Sequence, residues 1–251
     1  MQQKITLRFY KELNDFLAKD KRESAFNYDY KQAGSVKYII ESVGVPHTEV
    51  DLIIVNGESV DFHYQINCGD NISVYPANTS LDITPLIHCQ PEPLEKSQFI
   101  LDVHLGKLAA YLRMSGFDTL YRNDYDDPEL AKISLESQRI LLSYDRQLLM
   151  RKNITRAYFV RSRQPQQQLL EVISRFNLSH KLKPFTRCIQ CNGCLQKVEK
   201  KTVKNRLLPR TLKYYEDFFE CQSCHKVYWK GSHYEKMNQI IKQIQTAHLN
   251  T

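Results

Sequence analysis

The sequence predicts an α/β protein in three successive parts, and three observations carry that expectation. Up to about Ala77, short runs of alternating apolar and polar residues surround one helical stretch in the order β-β-α-β-β-β, the order of a β-grasp domain. Over residues 97–180, strand-length apolar runs alternate with helical spacing, the pattern of a parallel sheet with helices on both faces. In the last part, residues 181–251, five of the chain's seven cysteines gather, four of them in two Cys-x-x-Cys pairs. A chain of 251 residues accommodates these parts as separate small domains.

In the first part, Ile5, Leu7 and Phe9 alternate with polar residues, and Phe26, Tyr28 and Tyr30 repeat the pattern. Ser35 can cap a helix carrying Val36, Ile39, Ile40 and Val43. Val50 to Val55 reads as a strand closed by the turn pair Asn56-Gly57. Phe62, Tyr64 and Ile66 predict the next strand, and Gly69-Asp70 turns into one through Ile72 and Val74. With "VNG" and "GDNISVYP", this segment resembles the ubiquitin-like sulfur-carrier proteins of cofactor biosynthesis. Those carriers end in a Gly-Gly tail that is activated and thiolated. Here the chain continues through Tyr75-Pro76-Ala77-Asn78 without it, so a binding or scaffolding module with a protein partner is expected instead. Residues 78–96, interrupted by Pro85, Pro91 and Pro93, are expected to be a linker.

In the second part the strands are Phe99 to Val103, Thr119 to Tyr121, Ile140 to Ser143 and Ala157 to Val160. Leu105, Leu108, Ala109 and Leu112 mark the first helix, which Gly116 can end. Asp127 with Pro128 can start the next, and Leu169, Leu170, Val172, Ile173 and Phe176 mark the last. Acids cluster around the strand termini. Asp102 ends strand one, Asp124, Asp126 and Asp127 follow strand two, and Asp145 follows strand three. Right-handed crossovers bring parallel strand ends to one edge. Carboxylates converging there would hold a hard cation, Mg²⁺ or Mn²⁺. The competing reading is local: Asp145 caps the helix after it, and Asp126 and Asp127 are ordinary helix-start residues.

Three stretches, "FILDVHLGKLAAYLRMSGFDTLY", "RILLSYDRQLL" and a Cys-x-x-Cys followed by "NG", resemble a bacterial family named after the C-terminal domain of the mut-seven exonuclease. That family has a PIN-like nuclease core followed by a zinc ribbon, often with a ubiquitin-like domain in front. The resemblance implies a ribonuclease in which Asp102, Asp127 and Asp145 are the catalytic metal ligands. It also implies that Lys107, Arg113 and Arg146 contact phosphate, with orientation of Asp145 as the other role open to Arg146. One departure stands out. PIN nucleases carry a further acid near the end of the fourth strand, where this chain reads Val160-Arg161-Ser162-Arg163-Gln164-Pro165.

Cys188-Ile189-Gln190-Cys191 and Cys221-Gln222-Ser223-Cys224 can each point two thiolates at one ion, which makes a closed structural zinc site. The intervening 29 residues are long enough for a β-hairpin. Cys194 is a spare neighbour. Residues 181–230 hold twelve Lys or Arg against four Asp or Glu, a formal +8, while the whole chain carries +7. Lys204 and Arg206 lie in this basic run, interleaved with Tyr214, Tyr215, Phe218 and Phe219, a composition for single-stranded RNA or for a solvated surface over core aromatics.

The combined expectation is an N-terminal ubiquitin-like β-grasp domain (1–77), a linker (78–96), a PIN-like domain (97–180), and a zinc ribbon with a C-terminal helix (181–251). Its expected activity is metal-dependent RNA hydrolysis; the alternative is an RNA-binding adaptor with a degenerate nuclease fold. The N-terminus alternates polar and apolar residues without a signal peptide's apolar block, and no stretch is apolar enough to span a bilayer. A cytoplasmic location is therefore expected.

Overall fold

A computed structural model describes residues 3–32, 34–77, 85–92 and 94–247. The N-terminal elements are β1 (Gln3–Phe9), β2 (Phe26–Tyr30), α1 (Val36–Ser42), β3 (Val50–Val55), β4 (Glu58–Val60) and β5 (Asn71–Pro76). The central ones are β6 (Phe99–Leu101), α2 (Gly106–Met114), β7 (Thr119–Leu120), α3 (Asp127–Glu136), β8 (Ile140–Ser143), α4 (Arg146–Leu149), β9 (Ala157–Phe159) and α5 (Pro165–Arg175). The C-terminal ones are β10 (Leu195–Val198), α6 (Lys200–Val203), α7 (Pro209–Tyr214), β11 (Phe218–Cys221), β12 (Val227–Trp229) and α8 (Ser232–Ala247). No described helix is long and apolar enough to cross a membrane.

The chain divides into two compact units that do not follow sequence order. One joins Met1–Glu95 to Asp127–Phe159, and the other joins Lys96–Asp126 to Val160–Thr251.

In the first unit the N-terminal sheet has the strand order β2-β1-β5-β3-β4. The β1–β5 pair is parallel and the other pairs are antiparallel, which is the β-grasp arrangement. Alternation along β1 puts Ile5, Leu7 and Phe9 into the core, where Ile39 and Ile40 of α1 meet them. Ser35 caps α1 as expected, its hydroxyl accepting from the Tyr38 amide at 3.3 Å. The strand expected through Phe62, Tyr64 and Ile66 lies earlier, at β4. Asn56 and Gly57 both take positive φ (52° and 94°), the tight hairpin turn that starts the return strand at Glu58. Asp61 then accepts from the His63 amide at 2.8 Å and turns the chain out of the sheet, while Ile66 still reaches the core.

Of the expected linker, residues 78–84 and Pro93 lie outside the described residues. The described part runs along β3. Leu52 bridges His88, the Cys89 amide donates to the Asp51 carbonyl at 2.6 Å, and the Gln90 side chain donates to the Val50 carbonyl at 2.5 Å. The same unit contains the parallel pair β8–β9, in the register Leu141↔Ala157, Leu142↔Tyr158 and Ser143↔Phe159. Buried polar groups of the N-terminal segment hold this pair. The Glu49 carboxylate accepts from the Phe159 amide at 2.7 Å. His47 bridges the Ile154 carbonyl (2.8 Å) and Glu41 (2.7 Å).

The second unit contains the parallel pair β6–β7, with α2 and α5 packed on each other. Phe99 meets Phe117 and Phe176 edge-on at about 6 Å between ring centres. Gly116 ends α2 at φ 96°, and a Cβ there would meet the Lys183 carbonyl oxygen at 2.2 Å, so both conformation and space demand glycine. The cysteine-bearing segment forms an antiparallel sheet in the order β10-β11-β12. The stretch between the cysteine pairs is richer than the expected hairpin: it holds β10, two short helices and β11.

Candidate functional site

Two similar turns build the cysteine centre. Cys188 donates its amide to the Gly193 carbonyl at 2.8 Å, and the Asn192 amide returns to the Cys188 carbonyl at 2.9 Å. At the other turn, the Cys221 amide donates to Lys226 and the His225 amide to Cys221, both at 3.0 Å. Asn192 and His225 take the corresponding left-handed positions, φ 72° and 59°. A Cβ on Gly193 would lie 2.8 Å from the Cys221 sulfur, so glycine is what lets the turns close on each other.

The Sγ atoms of Cys188, Cys191, Cys221 and Cys224 lie within 4.8 Å of one another, with Cys188–Cys224 at 3.7 Å and Cys191–Cys221 at 3.4 Å. A Zn²⁺ with about 2.3 Å bonds to four sulfurs needs tetrahedral edges of about 3.8 Å, so this donor set fits it. Among the described residues it is the one gathered group of three or more metal-ligating side chains. The spare Cys194 is exposed and outside it. Burial pushes the Cys188 thiol up, but the Tyr228 hydroxyl at 3.0 Å and neighbouring amides outweigh it and bring it down to about 7. Those groups favour the thiolate that a metal requires.

A polar network anchors the first turn to β7. Arg113, expected at a phosphate, is 5% exposed. Its Nε donates to the Thr119 carbonyl at 2.9 Å, and its Nη1 donates to the carbonyls of Gln190 (2.8 Å) and Ile189 (3.2 Å). Desolvation lowers its pKa, against the pull of Cys188, Cys191 and Asp118. Asn192 accepts from the Thr119 amide at 3.0 Å and donates to Asp118 at 2.9 Å. Asp118 also takes Arg187 (3.4 Å) and Gln98 (3.2 Å). The sequence reading did not single out Asn192 or the role of Asp118. The signal for Arg113 was its spacing four residues after Ala109, on the buried stripe of α2.

The predicted acids fall in both units. Asp102, directly after β6, is 6% exposed and accepts from the His104 amide at 3.4 Å. Asp145 is exposed and caps α4: its Oδ1 accepts from the amides of Gln147 (2.7 Å) and Leu148 (3.3 Å). Asp127 opens α3, half-exposed, with Arg151 at 3.9 Å. Asp124 pairs with Arg122 on the surface, which holds its carboxyl below the usual range. Residues 160–165 carry no acid of their own, but Glu171 reaches back from α5. Its carboxylate accepts from the amides of Arg161 (2.7 Å) and Ser162 (2.9 Å).

The predicted phosphate contacts differ in setting. Lys107 is exposed on α2. Arg146 donates to the Phe16 carbonyl at 3.1 Å and lies over the rings of Phe16 (4.9 Å) and Phe159 (5.8 Å). Lys204 is exposed, while Arg206 holds Glu220 and the His225 carbonyl, each at 3.0 Å.

Comparison with known proteins gives two family matches. The model of the Mut7-C RNAse domain matches residues 97–241, and that of the Mut7-C ubiquitin domain matches residues 2–82. No curated protein and no solved structure matches the chain.

Proposed function

The chain belongs to the Mut7-C RNAse domain family, and from that premise we propose that it hydrolyses RNA phosphodiester bonds in a metal-dependent reaction. The observation that carries the proposal is the match over residues 97–241 together with acids at strand ends: Asp102 directly follows β6, and Asp145 lies two residues beyond β8. Carboxylate oxygens suit a hard cation, and Asp145 keeps Oδ2 clear of its capping bonds. In this reading Asp102, Asp127 and Asp145 are carried over from the family resemblance as ligands of Mg²⁺ or Mn²⁺, which would supply water activation and charge neutralisation at the phosphate. Lys107 offers a mobile ammonium to the RNA backbone, and Lys204 and Arg206 extend the basic track. Arg113 serves the fold, and Arg146 positions α4 through its stacking and carbonyl bonds. The four thiolates of the cysteine centre would hold a structural Zn²⁺. The working division of the chain is residues 1–77, 78–96, 97–180 and 181–251. The ubiquitin-like part scaffolds the β8–α4–β9 segment and offers its remaining surface to a protein partner.

A second reading, an RNA-binding adaptor with weak or no catalysis, draws on the missing acid in residues 160–165. Labelled single-stranded RNA incubated with Mg²⁺, with Mn²⁺ or without either separates the two. The enzyme reading expects cleavage that requires the added metal and is lost in Asp102→Asn and Asp145→Asn. Binding without cleavage in every condition would establish the adaptor.

A further inference from the structure

The second unit exposes three large apolar side chains in one place. Leu208 is 74% exposed just before α7, Tyr214 is 64% exposed at its end, and Trp229 is 36% exposed at the end of β12. They line a shallow open cleft together with Tyr215, whose ring centre lies 6.4 Å from that of Trp229. Gly231 leaves room for the indole: a Cβ there would meet Trp229 Nε1 at 3.0 Å. Phe218, from the same aromatic run, is fully buried, so the structure separates core aromatics from presented ones. Taking such side chains out of water is favourable, and an exposed cluster of them marks a binding face.

Charge decides the occupant. Arg210 lines the cleft, Arg206 lines a neighbouring one that shares Leu208 and Trp229 with it, and the Lys213 ammonium lies 5.6 Å over the Tyr214 ring. The nearby acids are already engaged: Glu216 by Lys200, Asp217 by Lys197 and Lys230, and Glu220 by Arg206. Arg210 and Lys204 have no carboxylate partner among the described residues. Flat aromatic faces ringed by cations match an unpaired nucleobase with its flanking phosphates, and a duplex does not offer its base faces.

We propose that the Leu208–Tyr214–Trp229 cleft is a stacking site for an unpaired base of single-stranded RNA, with Arg210 on the adjoining phosphate. The proposal rests on the reading that the chain acts on RNA, and it assigns the grip to a particular surface of the cysteine-bearing segment.

Trp229 is the sole tryptophan, so its emission reports on this cleft in the full chain. The zinc-loaded protein, without added Mg²⁺ or Mn²⁺, is titrated with a short oligouridylate, with an RNA duplex, and with inorganic polyphosphate. Saturable quenching by oligouridylate alone is expected. Leu208→Ala and Tyr214→Ala should each weaken it about tenfold at an unchanged salt slope, while Arg210→Gln lowers the slope. Zinc content and thermal unfolding of each variant confirm that it is folded. Equal quenching by polyphosphate, or none by RNA, overturns the proposal and leaves the face to a protein partner. Quenching without metal-dependent cleavage removes the ribonuclease reading and leaves the cleft standing. Cleavage without quenching removes the cleft alone.

Discussion

Asp145 is a helix cap in the structure and a metal ligand in the proposed reaction. Its Oδ1 caps α4 through two amides, so the local role weighed in the sequence is present in the structure. Asn caps helices as well as Asp, whereas Ala forfeits about 0.5–2 kcal/mol. Asp145→Asn should therefore match the parent in urea unfolding while Asp145→Ala falls by about 1 kcal/mol. Cleavage lost equally in both would then report chemistry and not folding. Arg113 is the opposite case. Its donors are spent on three carbonyls inside the second unit, and a lone ammonium cannot span them. Arg113→Lys should lower stability by about 1–3 kcal/mol, because buried carbonyls lose partners. The same change should loosen the first cysteine turn, read as faster zinc release to a chelator.

Among the elements, the paired turns and β10–β12 have little core of their own. Buried apolar side chains there are few, chiefly Val203 and Phe218 with Ile241 and Ile244 of α8. In the proposed reading, four thiolates closing on Zn²⁺ would supply the missing constraint. The expected stoichiometry is one zinc per chain by metal analysis, falling to none in Cys188→Ser/Cys221→Ser. In that variant, amide exchange should accelerate through residues 188–229 while β1–β5 keep their protection. A fold that held these amides without zinc would show the centre to be dispensable. The cysteine pairs were fully legible because their spacing encodes turn geometry directly. The position of β4 was less so. The apolar alternation at Phe62, Tyr64 and Ile66 imitates a strand, while the Asn56-Gly57 turn, which starts the real strand two residues later, competes with it.

At the level of the whole chain, local pattern gave the strands and helices but not their grouping. Ile5, Leu7 and Phe9 announce a half-buried strand through period two alone. Nothing local says that Glu49 will accept the amide of Phe159, or His47 face the carbonyl of Ile154, each across more than 100 positions. Those bonds place β8, α4 and β9 with the N-terminal sheet in one unit, although family matching assigns them to the RNAse domain. The consequence is testable. Glu49 is 2% exposed, and its carboxylate is the acceptor that spares the Phe159 amide from burial without a partner. Glu49→Ala removes that acceptor, at a cost of about 1–3 kcal/mol. Glu49→Gln keeps an acceptor oxygen and should lose less. Amide exchange at Phe159 should speed up in Glu49→Ala, and heating should melt β1–β5 and β8–β9 in one transition. Two separate transitions, with Phe159 exchange unaffected by Glu49, would show the N-terminal sheet to be an independent appendage. A single transition means that a partner binding the ubiquitin-like part also bears on the segment that presents Asp145.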